Sequence, residues 1–268
     1  MADPMLIAAA FTYGLIMFAF MVAAVVRWFS WRERIKPFTT LAVYLAAAYV
    51  ALGIGGMALE GGPNIPTLGG AWAFTLDFVR VMAFTAVGAH CCVLAGWRPF
   101  ASPVGRKLPQ PEAPAAGLPT RLVLIGLFVA AWFGHTQMLF WAFSPLPSEH
   151  VLRAWGLDDA SEVVTPVGAV LMGLVAVAEE LVFRLGIQNL LAAWCNWCGR
   201  KYWLAIVATS ALWTLGHVGT LDPDWVKFLQ IFPVGVALGW LFRKHGIESC
   251  IAVHVLFNVL ASYWLELP

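Results

Sequence analysis

Residues 164–192 read VTPVGAVLMGLVAVAEELVFRLGIQNLLA, and this stretch decides the fold. As a helix the run is long enough to cross the ~30 Å hydrocarbon core of a bilayer, yet its interior holds Glu179, Glu180 and Arg184. A charged side chain at that depth costs about 2.5–3.5 kcal/mol on insertion scales. Residues kept at such a cost pair with one another or do chemistry.

The rest of the chain sets the same solvent. Hydrophobic residues make up 61% and charged residues 12%, against about 25% charged in soluble proteins, and the mean hydropathy is +0.79. These values define an integral membrane protein in a lipid bilayer. A net charge of +1 without a long Lys/Arg run argues against nucleic acid as a partner.

Apolar runs of about 17–25 residues predict eight spans, near 5–26, 38–58, 72–96, 121–143, 164–192, 203–219, 226–242 and 247–265. The expected fold class is therefore all-α, a polytopic membrane helix bundle. Its connections alternate in charge. Arg27, Arg32, Arg34 and Lys36 follow the first run, and Glu60 follows the second. Arg98, Arg106, Lys107 and Arg121 come next, then Glu149, Asp158, Asp159 and Glu162 with only Arg153. Arg200 and Lys201, Asp222 and Asp224, and Arg243 and Lys244 complete the pattern. The positive-inside rule then places both termini outside the cytoplasm. The first run has neither a basic flank before it nor a small-residue cleavage site, and reads as a retained helix. The Pro/Ala-rich stretch 99–119 reads as a cytoplasmic linker.

Within the fifth run, Glu180 and Arg184 are four residues apart on one helical face, with the acid N-terminal to the base, the better orientation for a pair. Glu179 lies about 100° around the helix from Glu180 and is not neutralised in the same way. A carboxylate in apolar surroundings is a stronger base than one in water and can take a proton from a water molecule. Glu179 is thus the candidate acid/base, with Glu180 and Arg184 as its scaffold. Two other apolar runs add polar groups. His217 ends the fragment Trp213-Thr-Leu-Gly-His217, and His254 and Asn258 lie four apart, a spacing that lets two donors converge on one oxygen. A buried ion cluster that only locks helices together is the simpler reading of Glu179, Glu180 and Arg184 taken alone. Polar groups on three runs favour a working site.

Glu179-Glu180-x-x-x-Arg184, Trp213-x-x-x-His217 and His254-x-x-x-Asn258, in this order, resemble the three signatures of the CPBP family of intramembrane proteases, which includes the CAAX prenyl endopeptidases. The approach to the last motif, Leu238-Gly239-Trp240-Leu241-Phe242-Arg243-Lys244-His245-Gly246, is also similar. The resemblance covers about residues 160–265 and divides the chain into N-terminal helices of variable type, 1–159, and a catalytic membrane core, 160–268. It departs at Trp213, where the family usually has Phe. It implies a glutamic endopeptidase in which Glu179 and His217 activate water while His254 and Asn258 hold the oxyanion of the scissile carbonyl. The implied partner is a membrane-anchored peptide or protein, cut near its C-terminus. Prenylated proteins suit eukaryotic relatives; peptide maturation or sorting signals suit bacterial ones. The lack of an Asn-x-Ser/Thr sequon fits a bacterial inner membrane.

No cofactor is expected. Zinc is the alternative, because Glu179, His217 and His254 are also a zinc-protease ligand set, although no His-Glu-x-x-His is present. A non-proteolytic scaffold, immunity factor or transporter is the alternative function, and intact Glu179, His217, His254 and Asn258 argue against it. His90 and His135 read as core histidines, and Asp77 and Arg80 as a local ion pair. The Cys195-x-x-Cys198 pair lacks the further ligands of a zinc ribbon. Trp28, Trp31, Trp97, Trp194, Trp197 and Trp264 fit an interfacial belt, and Gly53, Gly55 and Gly56 could permit close helix approach.

Overall fold

The computed structural model describes residues 4–59, 68–100, 117–154 and 164–264. The 99–119 linker falls almost wholly outside them, as do Glu60, Asp158, Asp159 and Glu162. Helices dominate: α1 (Pro4–Leu59), α2 (Leu68–Leu94), α3 (Leu118–Phe143), α4 (Glu149–Ala154), α5 (Pro166–Glu179), α6 (Gln188–Trp194), α7 (Tyr202–Leu215), α8 (Asp224–His245) and α9 (Ile247–Trp264). A π-helical segment, Glu180–Ile187, joins α5 to α6 without a break. The architecture is an all-α polytopic bundle.

The structure does not confirm the expected count of eight spans, and it departs from the expected runs in two places. The first two runs form one continuous helix, α1, with Pro37 inside it. That helix bends back on itself. Arg80 of α2 hydrogen-bonds the Tyr49 hydroxyl and shares a cavity wall with Tyr13, whereas a straight helix would hold those tyrosines about 54 Å apart. The two tyrosines bracket the basic cluster Arg27–Lys36 and Pro37. Pro37 has no N–H and clashes with the preceding turn, which supplies a local cause for the bend.

The second departure concerns α7. It stops at Leu215 after 14 residues, about 21 Å at 1.5 Å per residue, short of the hydrocarbon thickness. Among the described residues, five helices are long and apolar enough to cross a membrane, and α7 is not one of them. Irregular backbone at such depth must be satisfied by protein, and here it is. Leu146 and Pro147 (β1) pair antiparallel with Asp222 and Leu221 (β2), Ser148 N–H donates to Thr220 O at 3.1 Å, and Gly219 N–H donates to Asp224 Oδ1 at 2.6 Å.

The π segment is buried along its whole length, and α2 meets it backbone to backbone. A Cβ on Gly88 would strike the Leu185 carbonyl, and one on Gly186 would strike the Phe84 ring. Of Gly53, Gly55 and Gly56, only Gly56 meets a neighbour, Leu171. Where the π segment ends, Asn189 Nδ2 donates to Leu185 O at 2.7 Å and Arg184 O at 3.2 Å. The Tyr202 hydroxyl then donates to Asn189 Oδ1 at 2.7 Å and accepts from Gln188 at 3.0 Å, tying α6 to α7.

His135 has a structural task that its apolar setting concealed. Pro233 lies inside α8 and cannot donate to the carbonyl four residues earlier. That carbonyl is Leu229 O, and His135 Nε2 lies 3.0 Å from it. His135→Leu should therefore strand a carbonyl and cost about 1–3 kcal/mol. In a Pro233→Ala background, where an N–H returns to position 233, most of that loss should vanish. Thermal unfolding in detergent across the four-member cycle checks this, and an equal loss in both backgrounds would refute it.

Candidate active site

Three helices deliver the polar side chains to one place. Glu179 closes α5, Trp213 and His217 stand at the end of α7, and His254 lies mid-way along α9. Glu179 is about 20 Å into the continuous 166–194 helix at 1.5 Å per residue, near mid-membrane. His217 follows directly on the end of α7 and meets Glu179 there, with its Nε2 3.9 Å from Oε1.

Glu179 is the more open of the paired carboxylates, with 23% of its side chain exposed against 1% for Glu180. Its Oε2 accepts a hydrogen bond from Trp213 Nε1–H at 2.8 Å. Its Oε1 lies 3.9 Å from His217 Nε2, and His254 Nε2 is 3.9 Å from Oε2. Nδ1 of His217 is 2.9 Å from the Trp213 carbonyl. A carbonyl only accepts, so Nδ1 carries a proton, and in the neutral form of the ring Nε2 turns a lone pair toward Glu179.

Glu180 faces the other way. Its Oε1 accepts from His254 Nδ1–H at 2.8 Å, and its Oε2 lies 3.5 Å from Arg184 Nε. The Arg184 side chain is fully buried, with its guanidinium carbon 4.7 Å above the centre of the Trp213 ring. The interactions close on themselves: Glu180 to Arg184, Arg184 to Trp213, Trp213 to Glu179, Glu179 to His254, and His254 back to Glu180. The ring of Trp132 on α3 lies 5.2 Å from His254 and stacks on Phe257 at 3.8 Å, walling the site on that side.

Asn258 is placed differently from the other three expected groups. Its Nδ2 donates to Met172 O on α5 at 3.2 Å, leaving one amide proton uncommitted. The remaining histidines lie elsewhere. His90 packs edge-on against Trp31, His135 serves Leu229, and His245 contacts Trp240. Asp77 and Arg80 pair at 2.8 Å as the spacing predicts. Trp97 lies under Arg243, with the guanidinium 4.2 Å from its ring. Cys195 and Cys198 are exposed free thiols.

The zinc alternative asks for three converging ligands. Among the described residues no three His, Cys, Asp or Glu side chains are grouped to hold a metal ion, and Glu179 Oε2 already accepts the indole N–H. No step below uses zinc. Sequence reasoning did not foresee the indole bond. The signal was available, since the other aromatic side chain considered at position 213, Phe, has no N–H to donate.

Fold and site together define a polytopic α-helical membrane protein with a buried glutamate–histidine centre. Residues 161–260 match the family model described as "Type II CAAX prenyl endopeptidase Rce1-like". Over 86 residues the chain is 30% identical to the sporulation-killing factor biosynthesis protein SkfC of Bacillus subtilis (strain 168), an overlap of 32% of this chain and 16% of that protein. The chain thus covers well under two thirds of that relative's length. No solved structure matches. These two matches support assigning residues 161–260 to the CPBP family.

Removing one member of a buried ion pair leaves the other uncompensated, at a cost of about 3–5 kcal/mol. Arg184→Met should therefore lower thermal stability sharply. Adding Glu180→Gln should recover part of that loss. Melting of the purified variants in detergent reads both effects, and a native-like melt for Arg184→Met would show that the pair does not hold the site together.

Proposed function

We propose that this chain is an intramembrane endopeptidase that hydrolyses a peptide bond of a membrane-anchored protein, near its C-terminus, with water activated by Glu179 and His217. The observation that carries this reading is the pair of acceptors, Glu179 Oε1 and His217 Nε2, facing each other at 3.9 Å. A water held between them gives one hydrogen to each and keeps its oxygen lone pairs free for a carbonyl carbon. Glu179 takes the proton as the C–O bond forms, and returns it to the leaving amine as the C–N bond breaks.

The developing oxyanion needs donors. His254 commits Nδ1–H to Glu180, so a proton on Nε2 makes it a cationic donor at the reaction centre. Asn258 supplies its uncommitted amide N–H. The hydrogen bond from Asn258 to Met172 O also sets the height of α9 against α5. An apolar cavity of about 390 Å³ between α3, α8 and α9 has Trp132 and Val253 in its wall, the Trp132 ring lying 5.2 Å from that of His254, and suits a substrate held in the bilayer. The likeness to a sporulation-killing factor biosynthesis protein favours the precursor of a secreted factor as substrate. A bacterial inner membrane, with both termini outside the cytoplasm, remains the location proposed.

In proteoliposomes containing the purified chain and a panel of lipid-anchored fluorogenic peptides, the native protein should cut at least one peptide. Glu179→Gln should lower that rate about 10²- to 10⁴-fold, the usual range for a lost general base. A strong chelator should leave the native rate unchanged. Cleavage that persists in Glu179→Gln, or that the chelator abolishes, would contradict the mechanism.

Asn258→Ala is expected to lower turnover by a factor corresponding to about 2.7–4 kcal/mol, as for other single oxyanion donors, with only a small change in melting. A folded variant with native turnover would remove Asn258 from the reaction centre.

A further inference from the structure

Glu179 has two oxygens and two demands on them. One must stay free to accept a proton from water, and the carboxylate plane must hold still while it does so. A glutamate side chain has three rotatable bonds and loses considerable freedom when fixed, so something must fix it. Neither histidine does. Both imidazole nitrogens that face it are 3.9 Å away, beyond hydrogen-bond range. The Trp213 indole, at 2.8 Å from Oε2, is the one direct hydrogen-bond donor to this carboxylate among the described residues.

We propose that Trp213 is a positioning residue for the reaction: its indole N–H pins Oε2 of Glu179, so that Oε1 alone faces His217 and receives the proton of the attacking water. The inference rests on the reading of Glu179 as the group that activates water. Trp213 itself touches neither water nor substrate in this account.

Its surroundings suit the task. The indole is 2% exposed, which leaves no bulk water to compete for the N–H or for the bond it makes. Arg184 sits over the ring face at 4.7 Å, where a cation draws on the π electrons and makes the N–H a stronger donor, the cooperative polarisation expected of a chain of interactions in a low dielectric. His217 and His254 both meet the ring at steep angles, with centroids 5.2 and 5.5 Å away. The ring therefore sets the spacing of both histidines while its N–H sets the carboxylate. Trp213 also links the Glu180–Arg184 pair to Glu179, which Arg184 does not contact directly.

The test separates the N–H from the ring. β-(3-Benzothienyl)-alanine placed at position 213 keeps the bicyclic shape and the face under Arg184 but puts sulfur where the N–H was; Trp213→Phe removes the N–H and part of the ring. For the benzothienyl protein kcat should fall about 10- to 100-fold, the loss expected of one hydrogen bond to a charged group, with KM unchanged and the protein still fully folded at the assay temperature. Native kcat would overturn the proposal, as would a fall in kcat explained by loss of folded protein. A second measurement does not depend on any peptide being cut. In the proton NMR spectrum of the native chain, the indole N–H signal that disappears in Trp213→Phe should lie downfield and move upfield in Glu179→Ala. A signal indifferent to Glu179→Ala overturns the proposal whatever the chain cleaves. A signal that moves in a chain that cuts nothing would uphold the bond and count against the peptidase reading instead.

Discussion

Two adjacent carboxylates in a membrane-spanning helix are the constraint around which the structure is built. Unpaired, each would cost several kcal/mol. The protein meets the cost unequally. Glu180 is sealed between Arg184 and His254, whereas Glu179 keeps a partly open face and a single direct donor, Trp213. The asymmetry seals one acid and leaves the other partly open although the two are neighbours in sequence. The ring of contacts running through Arg184, Trp213 and His254 means that neither carboxylate can be moved without disturbing the other.

The architecture serves that ring. The short α7 brings Trp213 and His217 to Glu179, and the β1–β2 pair with its flanking hydrogen bonds satisfies the backbone that follows. The π segment, locked to α2 by Gly88 and Gly186 and closed by Asn189, carries Glu180 and Arg184 in a wholly buried stretch. π-helical turns recur at functional sites, and here the segment begins at the residue after Glu179. The helix α3, clamped to α8 by His135 and by the Gln230–Thr136 hydrogen bond, supports the Trp132 wall beside His254.

Much of this was legible in the sequence, because insertion cost makes intramembrane charge conspicuous. Glu179, Glu180, Arg184, His217 and His254 stood out against apolar runs, and the structure brings all five together. The i, i+4 rule paired Glu180 with Arg184 and the i, i+3 rule paired Asp77 with Arg80. Other features were not legible for physical reasons. Hydropathy registers an apolar run whether it spans the bilayer or half of it, so α7 read as a full span. The basic cluster at 27–36 read as a connection between two spans, and nothing in it showed that one helix would run through it. The π segment has no local signature, since its wider turn is stabilised by packing against α2. The link between His135 and Pro233 spans 98 positions, and only the rule that a proline frees the carbonyl four residues back could have raised the question of what satisfies it.

The central claim is that Glu179, held by its neighbours, makes a peptidase of this bundle. Its most direct test is mass spectrometry of protein termini in membranes from cells carrying either the native chain or Glu179→Gln at equal abundance. The account expects membrane-anchored peptides with new termini only where the native residue is present, and those termini would locate the scissile bond. Identical sets of termini, with the variant folded and inserted, would contradict it and leave the polar ring as a device for joining helices.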